Sequence, residues 1–90
     1  MQKSQTCLLM PNRIFISGGA GYVGTRMVEH FIKLQNYVTV YDTCYFGESH
    51  LPHSNKFFSL VKGDIRDVQK LSRSSINHDI FIHLACISND

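Results

Sequence analysis

Arg13-Ile14-Phe15-Ile16-Ser17-Gly18-Gly19-Ala20-Gly21-Tyr22-Val23-Gly24 carries an apolar strand directly into three glycines spaced GxxGxxG and then into a helical pattern. A strand delivers the backbone to a tight turn, and the turn aims the first NH groups of the helix outward. Those groups have no partner inside the helix and sit at the positive end of its dipole, so the order strand, glycine turn, helix makes a site for a phosphate or pyrophosphate. A dinucleotide is the ligand that this arrangement implies.

Each glycine has a task in such a turn. Gly18 permits a backbone angle closed to residues with a Cβ, Gly21 lets the pyrophosphate approach the main chain, and Gly24 lets the helix pack close on the sheet. Tyr22 and Val23, which open the helix, join them in the candidate cofactor-binding set. A glycine triplet by itself also serves as a plain turn, so the context decides. A second apolar strand, Tyr37-Val38-Thr39-Val40-Tyr41, ends in Asp42, 18 positions after Gly24. An acidic residue about 20 residues on, at the carboxyl end of the second strand, is where a ribose diol finds its acceptor. A carboxylate there repels the additional phosphate of NADP, and no Arg or Lys lies between Asp42 and His53 to welcome it, so NAD is expected.

With the motifs Gly63-Asp64-Ile65-Arg66-Asp67 and His83-Leu84-Ala85-Cys86, the chain resembles the extended short-chain dehydrogenase/reductases, the NAD-dependent nucleotide-sugar epimerase and dehydratase group. The resemblance runs from Asn12 to Asp90. It implies that Asp42 and the following Thr43 meet the adenosine ribose; the family often has asparagine where Thr43 stands. It further implies that the Asp64 carboxylate accepts from the adenine amino group while Ile65 lines one face of the ring. Leu84, Ala85 and Cys86 would then lie against the pyrophosphate and nicotinamide ribose. The family's catalytic tyrosine and lysine, four apart, have no counterpart: Tyr22, Tyr37, Tyr41 and Tyr45 are followed four positions on by Arg26, Tyr41, Tyr45 and Ser49. No catalytic residue is therefore assigned, and a nucleotide-sugar substrate is expected only of a complete enzyme. From a different class, the alternative is a stand-alone, non-catalytic dinucleotide-binding module or a decayed fragment.

The fold class is α/β, a partial Rossmann-like doubly wound parallel sheet. Val23, Met27, Phe31 and Leu34, helped by Val28 and Ile32, recur at about 3.6 residues and mark a helix from near 21 to 35 with one buried face; Asn36 can close it. Positions 43–56 make a long polar loop. Phe57-Phe58-Ser59-Leu60-Val61 is a third strand, Gly63 turns the chain, and Asp67 caps a short helix whose apolar side is Val68, Leu71 and Ile76. Asp79-Ile80-Phe81-Ile82-His83-Leu84-Ala85 is almost continuously apolar, the pattern of a parallel strand covered on both faces. Right-handed crossovers then give the strand order 3-2-1-4 and set the carboxyl ends of strands one and four side by side. A complete fold of this kind has about six strands, so residues 12–90 read as the amino-terminal part of an NAD-binding domain, after a loose leader at 1–11.

Composition agrees with a globular chain: of 90 residues, 43% are hydrophobic and 18% charged. A net charge of +2 with scattered Lys and Arg does not indicate nucleic acid, and no apolar run is long enough for a membrane span. Cys7, Cys44 and Cys86 form no CxxC pair, which suits reduced thiols in the cytoplasm. His50 and His53 near Cys44 lack a fourth ligand and are not read as a metal site. His83 is expected to be a satisfied core residue, His30 to lie on the helix surface, and Cys86 to pack. The edge of the fourth strand is expected to promote self-association.

Overall fold

The computed structural model describes residues 11–45 and 47–84. The sheet has four parallel strands in the order β3-β2-β1-β4: β1 is Arg13–Ser17, β2 Tyr37–Asp42, β3 Phe58–Lys62 and β4 Ile80–His83. Helix α1, Tyr22–Lys33, links β1 to β2, and α2, Val68–Ser75, links β3 to β4. This is the expected 3-2-1-4 order. β1 is its centre, with Ser17 level with Tyr41 on one side and with His83 on the other.

Alternation along the strands sends Ile14, Ile16, Val38 and Val40 to one face, where they pack with Val28 of α1 and with Leu51 and Phe58. The other face presents Phe15, whose ring meets those of Tyr41, His78 and Phe81 at centroid separations of 5.0–5.8 Å. β1 is buried from Ile14 to Ser17, as a strand with neighbours on both sides should be.

α1 is shorter than its periodicity suggests, and its seam is narrower. Gly24 and Val28 are buried, Met27, Phe31 and Ile32 pack at the margin, and Val23 and Leu34 are exposed. The chain leaves the helix through Gln35 in the left-handed region, and Asn36 closes it: its amide and its side-chain Nδ2 both donate to the Phe31 carbonyl, at 3.0 and 3.3 Å. α2 begins as expected, the Asp67 carboxylate accepting from the Lys70 amide at 3.2 Å. Its Val68 and Ile76 are nonetheless exposed, so the proposed apolar side is not a buried one among the described residues.

β3 begins and ends one residue later than expected. β4 ends at His83 rather than running from 79 to 85, with Leu84 after it, and it is not covered on both faces: Ile80 and Phe81 are 40% and 48% exposed. It is an edge strand, and among the described residues its ladder is shared with β1 alone. The loop 43–56 is polar only in part. Leu51, at 4% exposure, is sunk into the core and anchors it. Residues 1–10 of the expected leader at 1–11, together with Ala85 and Cys86, lie outside the described residues. Among the described residues no helix is long and apolar enough to cross a membrane.

Candidate functional site

Beyond Ser17 the chain enters Gly18 with φ of +82°, the left-handed region open to glycine without strain. The Gly18 amide still donates to the Tyr41 carbonyl at 2.8 Å, so the β1–β2 ladder extends one residue into the turn. The Gly21 amide donates back to the Gly18 carbonyl at 3.3 Å, and Gly21 becomes the N-cap of α1. Among the described residues no side chain caps this end, and the first turn has no acidic residue. The amides of the first turn thus carry the positive end of the helix dipole with no acidic residue of that turn to offset it.

The glycines divide the work differently from the motif's simplest reading. A Cβ on Gly24 would stand 2.5 Å from the Gly19 Cα and 2.7 Å from the Gly18 carbonyl oxygen, so the helix packs against the turn itself rather than against the sheet. Gly19, absent from the expected set, is the residue pressed on the sheet: a Cβ there would be 2.6 Å from Val40 Cγ2. At Gly21 the only neighbour of a Cβ within 4 Å among the described residues would be the Gly18 carbonyl oxygen, at 3.6 Å. Its outer side is clear, which fits a phosphate brought close to the main chain. Tyr22 and Val23 follow with exposed side chains, at the head of the helix.

Asp42 stands where expected, at the carboxyl end of β2, and it grips the turn. Its Oδ2 accepts from the Ala20 amide at 3.0 Å and its Oδ1 from the Cys44 amide at 2.8 Å. Thr43 lies between, exposed. The Cys44 thiol is held above its ordinary pKa, first by burial and then by the charges of Asp42 and Glu48, and so is no activated nucleophile.

Asp64 and Ile65 follow β3 and are half-buried. The Asp64 carboxylate is engaged by Arg66, accepting from Nε at 3.0 Å, from Nη2 at 2.7 Å and from the Arg66 amide at 2.8 Å. These bonds pull its pKa down to about 2. Beneath it lies Tyr41, fully buried, whose hydroxyl donates to the Asp64 carbonyl at 2.9 Å. Burial foremost, then the Asp67 and Asp64 charges, raise the phenol pKa, so this tyrosine is a fixed donor. Gly63 makes the contact possible, since a Cβ there would be 2.5 Å from the phenol oxygen.

Where β1 and β4 end together, the Leu84 amide donates to the Ser17 carbonyl at 2.8 Å and Ser17 Oγ meets His83 Nδ1 at 2.6 Å. His83 is satisfied but is not a core residue; it is exposed at the sheet edge, while Ser17 is the buried partner. His50 and His53 each turn a ring Nε2 to a main-chain carbonyl, Ala20 at 2.9 Å and Glu48 at 2.7 Å. His30 is exposed on α1 against the Phe31 ring. Among the described residues no group of three or more His, Cys, Asp or Glu is placed to hold a metal. The core anchor Leu51, the contact of Gly19 and the tie from Tyr41 to Asp64 escaped the sequence reading. Only Leu51, an isolated apolar residue before Pro52, left a trace there.

The family model of the 3-beta hydroxysteroid dehydrogenase/isomerase family matches residues 15–90. The chain belongs to this family. Among relatives of this family member, the UDP-N-acetyl-alpha-D-glucosaminuronate decarboxylase of Bacillus cytotoxicus is 32% identical, over 87% of this chain and 25% of the relative. The UDP-glucose 4-epimerase of Streptomyces lividans is 31% identical, over 88% of this chain and 24% of that enzyme. The enzyme WbmG of Bordetella bronchiseptica, solved in complex with NAD, superposes with a TM-score of 0.79 at 28% identity, covering 91% of this chain and 27% of that one. The chain thus spans about a quarter of the length of the relatives it matches. These matches bear out the resemblance to the extended short-chain dehydrogenase/reductases and the Rossmann-type sheet.

Proposed function

We propose that this family member is the NAD-binding portion of a nucleotide-sugar epimerase or dehydratase-like oxidoreductase. The observation that carries the reading is the pairing of two features by one turn: the uncapped head of α1 at Gly21, and the Asp42 carboxylate bonded to Ala20 one residue before it. A pyrophosphate suits the first and a ribose diol the second, and the turn fixes their separation. Each Asp42 oxygen already accepts one main-chain amide, which aims the carboxylate, and each keeps a further lone pair for a ribose hydroxyl. NAD, when bound, supplies a hydride acceptor; the chain's residues bind and orient it. Asp64 and Ile65 serve the adenine and Leu84 the carboxyl-end crevice between β1 and β4, while Ala85 and Cys86, outside the described residues, are assigned to the cofactor by the sequence motif alone. The solved relative with NAD and the UDP-sugar enzymes among the relatives support this assignment.

The nucleotide-sugar substrate and the proton chemistry belong to the whole enzyme, whose tyrosine–lysine pair these 90 residues do not contain. A cytoplasmic location is part of the same proposal, in keeping with the free Cys44 thiol. Titration calorimetry with NAD, NADP and ADP-ribose tests the reading. NAD and ADP-ribose should bind and NADP should bind more weakly; no heat with either of the first two, or a preference for NADP, would overturn it.

A further inference from the structure

We propose that His50 is a positioning residue for the cofactor turn, holding the peptide between Ala20 and Gly21 in the orientation that an anion needs; this rests on the dinucleotide reading above. His50 comes from the β2–β3 connection, 30 residues away in sequence, and its place there is fixed rather than accidental. Its neighbour Leu51 is buried in the core. The Leu51 amide donates to the Glu48 carbonyl at 3.1 Å, and the Glu48 carboxylate pairs with Lys62 of β3 at 2.8 Å. The connection is therefore a strap moored at both sides, and it carries His50 to the glycine turn.

A carbonyl oxygen only accepts, so the 2.9 Å contact with the Ala20 carbonyl requires hydrogen on His50 Nε2. One peptide back along the same turn, the Ala20 amide is held by Asp42 Oδ2 at 3.0 Å. The peptide planes on either side of Ala20 are thus gripped by two different segments. Asp42 fixes the plane joining Gly19 to Ala20, and His50 fixes the plane joining Ala20 to Gly21. Without His50 the second plane is held by the Gly21 amide alone, through the 3.3 Å bond to the Gly18 carbonyl, the longest in the turn. Gly19 is packed on Val40, whereas a Cβ at Gly21 would meet nothing closer than the Gly18 carbonyl oxygen at 3.6 Å, so Gly21 is the residue about which this peptide can turn. Rotating the Ala20–Gly21 peptide would break the Gly21 amide's bond to the Gly18 carbonyl and turn the Ala20 oxygen toward that carbonyl, disordering the turn from which α1 starts. The ring also lines a cleft of about 340 Å³ together with Ala20, Gly21, Tyr22, Thr25, Arg26 and Glu29, at the surface beside the turn.

The test compares His50→Ala, His50→Gln, which keeps a neutral donor, and His53→Ala, which removes a bond within the strap without touching the turn. Amide exchange is measured on the chain without ligand, and NAD affinity by calorimetry. His50→Ala should speed exchange at Ala20 and Gly21 and weaken NAD by about 3- to 10-fold, the loss of one hydrogen bond. Exchange along Ile14–Ser17 should be unchanged. His50→Gln should recover most of both effects, and His53→Ala should show neither at the turn. Unaltered exchange at Ala20 and Gly21 in His50→Ala overturns the proposal, as does faster exchange with unaltered NAD affinity. A wild-type chain that binds no NAD overturns the dinucleotide reading, and the proposal falls with it; wild type and His50→Ala binding NAD equally overturns the proposal alone.

Discussion

The Tyr41 hydroxyl, at the end of β2, donates to the main-chain carbonyl of Asp64 beyond β3, 2.9 Å away. One side chain under the sheet's carboxyl edge therefore sets the level of the segment that follows the neighbouring strand. Tyr41→Phe keeps the ring against Phe15 and removes only this bond. The expected cost is about 1 kcal/mol, from a carbonyl left without its donor, read as a lower denaturation midpoint with an unchanged slope. A variant as stable as the wild type would show that solvent replaces the phenol.

Gly21 and Gly24 should respond oppositely to a methyl group. Gly24→Ala forces a Cβ to 2.5 Å from the Gly19 Cα and should disturb the turn and lower stability by about 1–3 kcal/mol. Gly21→Ala meets nothing closer than 3.6 Å in the free chain, so its melting temperature should hold while NAD affinity falls. Thermal melts and calorimetry on both variants separate the structural glycine from the ligand-facing one.

Asp42→Ala should lose affinity and order together. The carboxylate that offers itself to the ribose also holds the Ala20 and Cys44 amides. A drop of about 1–3 kcal/mol in NAD binding is expected, with faster exchange at those two amides in the free chain. Affinity lost with both amides still protected would assign Asp42 to the ligand alone.

Side-chain bonds from Arg66, then its amide, hold the Asp64 carboxyl at about 2, below the ordinary 3.8. A carboxyl whose folded pKa is depressed stabilises the fold above its unfolded pKa, and that contribution fades as pH falls from about 4 to about 2. The Asp64 side chain is 38% exposed and that of Arg66 69%, so water screens the pair and the effect on stability is small. The direct readout is the Asp64 carboxyl resonance. Its midpoint should lie near 2 in the wild type and return toward the ordinary value in Arg66→Ala.

β4 gives a further expectation. Among the described residues it lies at the sheet edge with Phe81 about half exposed, which in these 90 residues taken alone is a template for pairing with a second copy. Light scattering should find the chain self-associated and Phe81→Lys shifted to monomer. Equal masses for the two would remove β4 from any such contact.

The strands, their order, the glycine turn and both helix boundaries supported by Asp67 and Asn36 were legible because each depends on neighbours a few residues away or on alternation along one segment. Periodicity shows that residues share a face; it does not show that the face is covered. Val23 of α1 and Leu34 just after it, and Val68 of α2 and Ile76 just after it, fit an apolar stripe and are exposed. Leu51 shows the converse, an isolated apolar residue in a polar loop that reaches the core. At the site, Gly18 and Asp42 could be read from spacing, since the turn and strand end are local. Gly19 against Val40, Tyr41 under Asp64 and His50 on Ala20 could not, because each joins segments whose approach is decided by the assembled sheet.

The central place of β1 also has a kinetic side. Its Arg13 amide is bonded to the Asp79 side chain, 66 residues later, and Ile14 is level with Ile80 of β4. On a ribosome adding ~5–20 residues each second, β1 waits roughly 3–13 s for that flank to be synthesised. Contacts this distant in sequence are slow to form because the closure entropy comes before the reward. The segment translated early is thus completed late, and Ile14-Phe15-Ile16 is the stretch that most needs shielding during synthesis.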